Sequence, residues 1–136
     1  MKKDIEFPTV EGIKVAIARQ KNELNEVEWH VYLLNQNRFD IQNILITSKG
    51  YGLKEESGEQ QRTSTLRHMF EQIEAHSFVN IERIDPSVFH LCSEYWVSYY
   101  VGNKIYDKKF VFLPDSIREE NITQINMLEL EGILHS

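Results

Sequence analysis

Residues 94–112 read EYWVSYYVGNKIYDKKFVF, and this stretch decides the fold. It contains two runs rich in β-branched and aromatic residues, one on each side of Gly102-Asn103. A two-residue connection of this kind between strand-forming runs is typical of a tight β-hairpin. Pairing Val101 with Lys104 then fixes the register, because the numbers of every opposed pair must sum to 205.

The register divides the hairpin into two faces, since successive side chains of a strand point to opposite sides. One face places Tyr99 opposite Tyr106 and Tyr95 opposite Phe110, and it holds the larger share of apolar residues. We expect this face to belong to the core, because burying the apolar set on one side specifies the register.

The other face of the hairpin directs Trp96 and Tyr100 away from the core. It is bordered by Glu94, Asp107 and Lys109, and Lys109 lies opposite Trp96, within reach of a cation–π contact. Exposed aromatic groups that occur together are typical of interfaces, because they bury a large area at a low entropic cost. These five residues are therefore the candidate binding face, for a protein partner or for a second copy of the chain.

The C-terminal tail offers another cover for this face. Residues 117–134 carry aliphatic side chains that must be buried somewhere: Ile122, Ile125, Met127, Leu128, Leu130, Ile133 and Leu134. Cover of the Trp96 face by this tail is the first interpretation, and a partner site or dimer interface is the alternative. The two merge if the tail crosses to a neighbouring subunit.

Further strands are indicated along the rest of the chain by short runs of alternating or β-branched residues. They cover residues 13–19, 27–34, 41–48, 63–73 and 77–84, although 63–73 also matches helical spacing. Residues 50–62 are polar and glycine-rich, which predicts a long mobile loop. Asp85-Pro86 predicts one helical turn. Ser116 and Glu119 fit a capping box, which predicts a short helix beginning near Ile117.

These elements predict an all-β fold, an immunoglobulin-like antiparallel β-sandwich of about seven strands with a short C-terminal helical segment. The chain forms one domain over residues 1–136, with the sandwich at 13–112 and the tail at 113–136. The segment LLNQN at 33–37, followed by IQNILI at 41–46, resembles the strand–Asn turn–strand step of bacterial Ig-like modules of the FxLYD type. Modules of this kind mostly bind or scaffold, so the resemblance implies little about activity.

The chain also resembles a family of short, uncharacterised bacterial proteins, some of which are described as phenylalanyl-tRNA synthetase alpha subunits. A class II synthetase catalytic domain resembles a much longer α/β fold with an arginine-bearing motif that grips ATP. Neither part can be placed in this sequence. An accessory role near tRNA charging therefore depends on that description alone.

The composition limits which classes of partner we expect. The chain has 136 residues, 15 Lys and Arg against 21 Asp and Glu, and a formal net charge of −6. A nucleic-acid partner is not expected, because such binding needs cationic surface to release counterions from phosphate. No apolar run approaches the ~20 residues of a membrane helix. Cys92 is the only cysteine, so no internal disulfide can form, and we expect a reducing, cytoplasmic location.

No catalytic or metal-binding constellation is recognisable. A zinc site needs three or four converging ligands, and the spacing of His30, His68, His76 and His90 does not predict convergence. Cys92 fits a small buried residue better than a nucleophile. We therefore expect no metal, no cofactor and no catalytic residues. A non-enzymatic binding module is the main interpretation, and a small enzyme or ligand-binding protein using histidines and carboxylates in a cleft is the alternative.

Overall fold

A computed structural model describes residues 9–53 and 57–136 of the chain. The described residues form two antiparallel sheets, so the all-β prediction is confirmed. The first sheet has the strand order β6-β2-β1-β10-β9. In the second sheet the order is β4-β3-β7-β8, and β5 also pairs with β3. No helix in the described part of the chain is long and apolar enough to span a membrane.

Ten strands are present within the described ranges, against the seven or so predicted. Their bounds are β1 Ile13–Lys21, β2 Val27–Asn35, β3 Ile41–Leu53, β4 Gln60–Arg62, β5 Leu66–Ile73, β6 Ser77–Ile84, β7 Cys92–Val101, β8 Lys104–Phe112, β9 Thr123–Ile125 and β10 Leu130–His135. Single 3₁₀ turns lie at Pro86–Val88 and Glu119–Asn121. The turn after Asp85 confirms its prediction, and the Asp85 carboxylate caps it by accepting from the Ser87 backbone N–H at 2.8 Å.

The β7–β8 hairpin has the predicted register. Val101 pairs with Lys104, Tyr99 with Tyr106 and Trp96 with Lys109. Gly102 takes a φ of +58°, which the tight two-residue turn requires and which glycine adopts without a Cβ clash. A local turn signal was enough to fix this pairing because the two strands are adjacent in sequence.

The core lies between the two sheets. It is built from alternate residues of both, including Val15, Ile17, Val31, Leu33, Ile41, Ile44, Ile46, Tyr95, Val97, Tyr99 and Phe110. Alternation leaves the opposite face of each strand directed away from this core. The second sheet therefore presents the even-numbered residues of β7 on its outer side.

The predicted long loop at 50–62 is wrong at both of its ends. β3 continues to Leu53 and pairs with β4, with Tyr51 opposite Arg62. Thr63 closes this extension: its Oγ1 accepts from the Gly50 N–H at 2.7 Å, and its own N–H donates to the Gly50 carbonyl at 2.9 Å. The glycine content indicated a loop, although these residues form a strand that buries few side chains. Residues 54–56 lie outside the described part. In the ambiguous segment that follows, the strand interpretation is confirmed for 66–73.

The predicted C-terminal helical segment is also wrong. The Ser116 hydroxyl donates to the Leu113 carbonyl at 2.8 Å, and the 3₁₀ turn that follows has no side-chain cap. The chain then forms β9 and β10, and β10 pairs with β1 in the first sheet. Gly132 explains part of this outcome, because its lack of a side chain lets β10 approach the backbone of Ala18.

The tail buries part of its aliphatic set on the outer side of the first sheet, whereas Ile117 and Ile133 pack against the core between the sheets. Ile125 and Leu128 pack with Ala16, Tyr32 and Leu34 in a second apolar cluster. This cluster belongs to the sheet opposite the one that carries Trp96. The tail therefore does not cover the Trp96 face, and the first interpretation of its role is wrong.

Gly132→Ala is expected to lower the free energy of unfolding by about 1–3 kcal/mol. A Cβ at this position would lie 2.6 Å from Ala18 Cα and also against the Ile17 carbonyl oxygen, so backbone would have to move. Urea denaturation checks the value. Adding Ala18→Gly should restore little of the lost unfolding free energy, because the obstructing atoms are mainly backbone. Full restoration of the unfolding free energy in the double variant would contradict this reason.

Candidate functional site

The candidate binding face lies on the outer side of the second sheet, as predicted. Trp96 is 47% exposed and Tyr100 is 38% exposed, although both belong to a central strand. Glu94 lies beside them on β7, and Lys109 and Asp107 face the same side from β8. We call this outer surface of β3, β5, β7 and β8 the Trp96 face.

Aliphatic side chains that the sequence did not single out complete the Trp96 face. Leu45 pairs with Met69 across β3 and β5, and Tyr100 pairs with Ile105 across β7 and β8. Their exposed fractions range from 38% for Leu45 to 77% for Met69. Exposed apolar groups scattered singly need no explanation, whereas a larger exposed apolar patch is typical of interaction sites. Finding this group required the strand order, which places β5 beside β3.

Glu94 is the most buried polar group of the Trp96 face, with 7% of its surface exposed. Its carboxylate accepts from the Tyr51 hydroxyl at 3.2 Å and lies 3.6 Å from Lys49 Nζ and 3.9 Å from Lys109 Nζ. A buried carboxylate needs such partners, because desolvation of an unpaired charge is costly. Lys49 and Tyr51 reach Glu94 only through the β3–β7 pairing, which the sequence alone does not reveal.

Tyr51 acts as a donor in this cluster. Partial burial and the neighbouring Glu94 carboxylate raise the pKa of the Tyr51 hydroxyl, so it stays protonated at neutral pH. Tyr51 therefore remains a hydrogen-bond donor to Glu94 at neutral pH.

Both lysines also contact an aromatic ring. Lys109 Nζ lies 6.0 Å from the Trp96 ring centroid, and Lys49 Nζ lies 5.9 Å from that of Tyr51. Contacts at this distance contribute about 0.5–1 kcal/mol at exposed sites. The lysine side chains remain 46% and 50% exposed, so each ammonium group is positioned by the protein and still reachable from solvent.

The five predicted site residues form one surface but not one compact cluster. Glu94, Trp96 and Lys109 are brought together by direct contacts. Asp107 pairs with Ser98 and Tyr100 pairs with Ile105, towards the Gly102 end of the hairpin. The face thus has a charged end at Glu94 and a mainly apolar end at Tyr100.

A cavity of about 580 Å³ adjoins the charged end of this face. Its lining includes Lys49, Tyr51, Arg62, Thr63 and Glu94. The side chains that hold Glu94 therefore also form one wall of a recess.

The histidines have separate partners. His30 Nε2 lies 3.1 Å from the Glu28 carboxylate, His68 Nε2 lies 2.8 Å from that of Glu82, and His90 contacts Gln61. His76 occupies a turn with a φ of +51°. Among the residues that the structure describes, no three His, Cys, Asp or Glu side chains converge as a metal site would require.

Comparisons with known proteins add no assignment to this geometry. No family model matches the chain, and neither a curated protein nor a solved structure matches it. The Ig-like resemblance and the resemblance to short bacterial proteins remain predictions from sequence pattern. The candidate site must be interpreted from its own chemistry.

Proposed function

We propose that this protein is a non-enzymatic binding module that docks another protein on the Trp96 face. The observation that carries the proposal is the exposure of Trp96, at 47%, in the middle of a strand whose odd-numbered residues Tyr95, Val97 and Tyr99 are buried. A large aromatic residue in water is disfavoured unless it serves contact with something else. Leu45 and Met69 extend the same apolar surface.

The mixture of side chains favours a protein as the ligand. Protein interfaces are enriched in Trp, Tyr and Met at their centres, with a polar rim. Here Trp96, Tyr100 and Met69 are flanked by Lys109 and Asp107. The Ig-like pattern of the sequence fits a binding or scaffolding role, and the side chains of the Trp96 face rather than the fold carry the proposal. We place the module in the cytoplasm, in keeping with its single cysteine.

The double variant Trp96→Ala/Tyr100→Ala tests the proposal. Proteins that the wild-type protein captures from cell extract are identified by mass spectrometry and purified. Each is then titrated by calorimetry against the wild type and against the double variant. Removing two aromatic anchors is expected to weaken the direct interaction by about tenfold or more. The substitutions lie on the outer side of the sheet, so we expect the variant to remain folded by circular dichroism.

Leu24→Ala is the matched control, since Leu24 is 77% exposed in the turn between β1 and β2 and lies away from the Trp96 face. Equal affinity of wild type and the double variant for every purified partner would refute the proposal. Light scattering then tests whether the face instead binds a second copy of the chain. A wild-type dimer that becomes monomeric only in the double variant would assign the face to a second copy instead.

A further inference from the structure

We infer that the docked partner presents an acidic segment, with a carboxylate on the solvent-exposed side of the Lys49 and Lys109 ammonium groups and an apolar side chain on Trp96. This inference rests on the proposed function, and it names the chemistry of the partner. It follows from three features of the Trp96 face: two positioned ammonium groups, a local excess of cations, and an apolar surface directly beside them.

The ammonium groups outnumber the charge that positions them. Lys49 Nζ and Lys109 Nζ lie on one buried carboxylate, at 3.6 and 3.9 Å from Glu94. Each lysine also lies over an aromatic ring while about half of its side chain stays exposed. Two positive charges around one negative charge leave a residual positive charge. Both lysine side chains are already restricted in the free protein, so binding a ligand costs little further side-chain entropy.

Around Trp96 the three cations Arg67, Lys49 and Lys109 outnumber the carboxylates Glu94 and Asp107 by one, whereas the chain as a whole is acidic. Arg67, Thr47, Trp96 and Lys109 form one row across β5, β3, β7 and β8, and Lys49 lies in the next row. The chain as a whole has a formal net charge of −6. Electrostatic complementarity at the lysine pair therefore favours an acidic segment.

The apolar surface defines the remainder of the ligand. Leu45 lies in the row beside Trp96, paired with Met69 on one side and Ser98 on the other. A carboxylate at the lysine pair thus leaves the neighbouring residues of an extended segment over Trp96 and Leu45. An acidic segment with an aromatic or aliphatic residue satisfies both requirements, whereas a free anion satisfies only one.

The probe is the synthetic peptide acetyl-Asp-Glu-Phe-Asp-Glu-Leu-amide, compared with its neutral counterpart in which Asn and Gln replace Asp and Glu. Isothermal calorimetry gives the affinities, and the indole N–H resonance of Trp96 reports the location. The acidic peptide is expected to bind about tenfold more tightly than the neutral one and to shift that resonance. Raising the salt concentration should weaken its binding, because the lysines are partly exposed to solvent.

Lys49→Gln and Lys109→Gln should each weaken binding of the acidic peptide by about fivefold or more and leave the neutral peptide unaffected. Lys108→Gln is the matched control: the same change on the same strand, next to Lys109 but on the opposite side of the sheet. Equal binding of the two peptides, or equal effects of the three lysine variants, would overturn the inference. Saturable binding of inorganic phosphate that displaces the peptide would likewise reassign the lysine pair to a free anion.

The two proposals fail separately. If the lysine variants retain a purified partner that Trp96→Ala/Tyr100→Ala loses, the face binds protein but the acidic segment is wrong. If the double variant also retains it, the proposed function itself is wrong.

Discussion

Asn35→Asp is expected to lower the free energy of unfolding by about 3–5 kcal/mol, the range for leaving a charge unpaired inside a protein. Asn35 is fully buried at the end of β2. Its Nδ2 group donates to the carbonyls of Phe39 and Glu74, each at 3.0 Å, and of Ile73 at 3.3 Å. Aspartate would place a carboxylate oxygen against these carbonyl oxygens and would remove every donor.

The expected loss of unfolding free energy is large because Asn35 connects separate parts of the fold. Its Oδ1 accepts from the Asn37 N–H at 3.1 Å and fixes the turn after β2, while Nδ2 reaches the turn between β5 and β6. One side chain thereby ties a turn of the first sheet to a strand of the second. No apolar contact can substitute for these bonds, since the carbonyl groups would remain buried and unpaired.

Denaturation in urea at several pH values tests this prediction. Burial raises the pKa of a carboxyl group, so the introduced group should take up a proton as the pH falls, and the difference from wild type should narrow. Asn43→Asp is the matched control, because Asn43 is exposed and its φ of +50° is one that aspartate tolerates. A loss below about 1 kcal/mol, or one equal to that of the control, would contradict the role assigned to Asn35.

The sequence predicts the parts of this fold that local rules determine. The register of β7 and β8 follows from Gly102-Asn103 and from alternation, and the same alternation correctly placed Trp96 and Tyr100 outside the core. Capping by Asp85 was also predictable, because the cap and the Pro86 turn are adjacent in sequence. In each case the interacting residues belong to the same element or to elements that are adjacent in the sequence.

Features that depend on strand order could not be predicted. The contact of Lys49 with Glu94 requires β3 to lie beside β7, and the apolar pair of Leu45 and Met69 requires β5 on the other side of β3. Periodicity determines which face a residue occupies but not which strand becomes its neighbour. The tail shows the same limit: its aliphatic residues were expected to need cover, yet nothing local indicated that Gly132 would admit β10 beside β1.

Glu82 is a second long-range link, and it supports the Trp96 face from beneath. This residue of β6 belongs to the first sheet, and its side chain is only 15% exposed. Its carboxylate accepts from three donors on three strands of the second sheet: Ser48 at 2.7 Å, His68 at 2.8 Å and Tyr95 at 3.3 Å. Burial and the Glu82 carboxylate hold the pKa of Tyr95 well above its usual range, so Tyr95 remains a donor.

Glu82→Ala is expected to destabilise the protein by about 3–5 kcal/mol, because it leaves the polar groups of three strands without their common acceptor. Glu82→Gln should cost less, since the amide keeps one acceptor oxygen and similar volume. Glu120→Ala, at an exposed position, should change the unfolding free energy by less than about 0.5 kcal/mol in the same thermal and urea measurements. Ser48 and Tyr95 each adjoin residues of the Trp96 face along their strands, so the loss of Glu82 should also increase amide hydrogen exchange in β3 and β7. A variant that unfolds like wild type and retains wild-type exchange in these strands would show that the core alone holds the binding face in place.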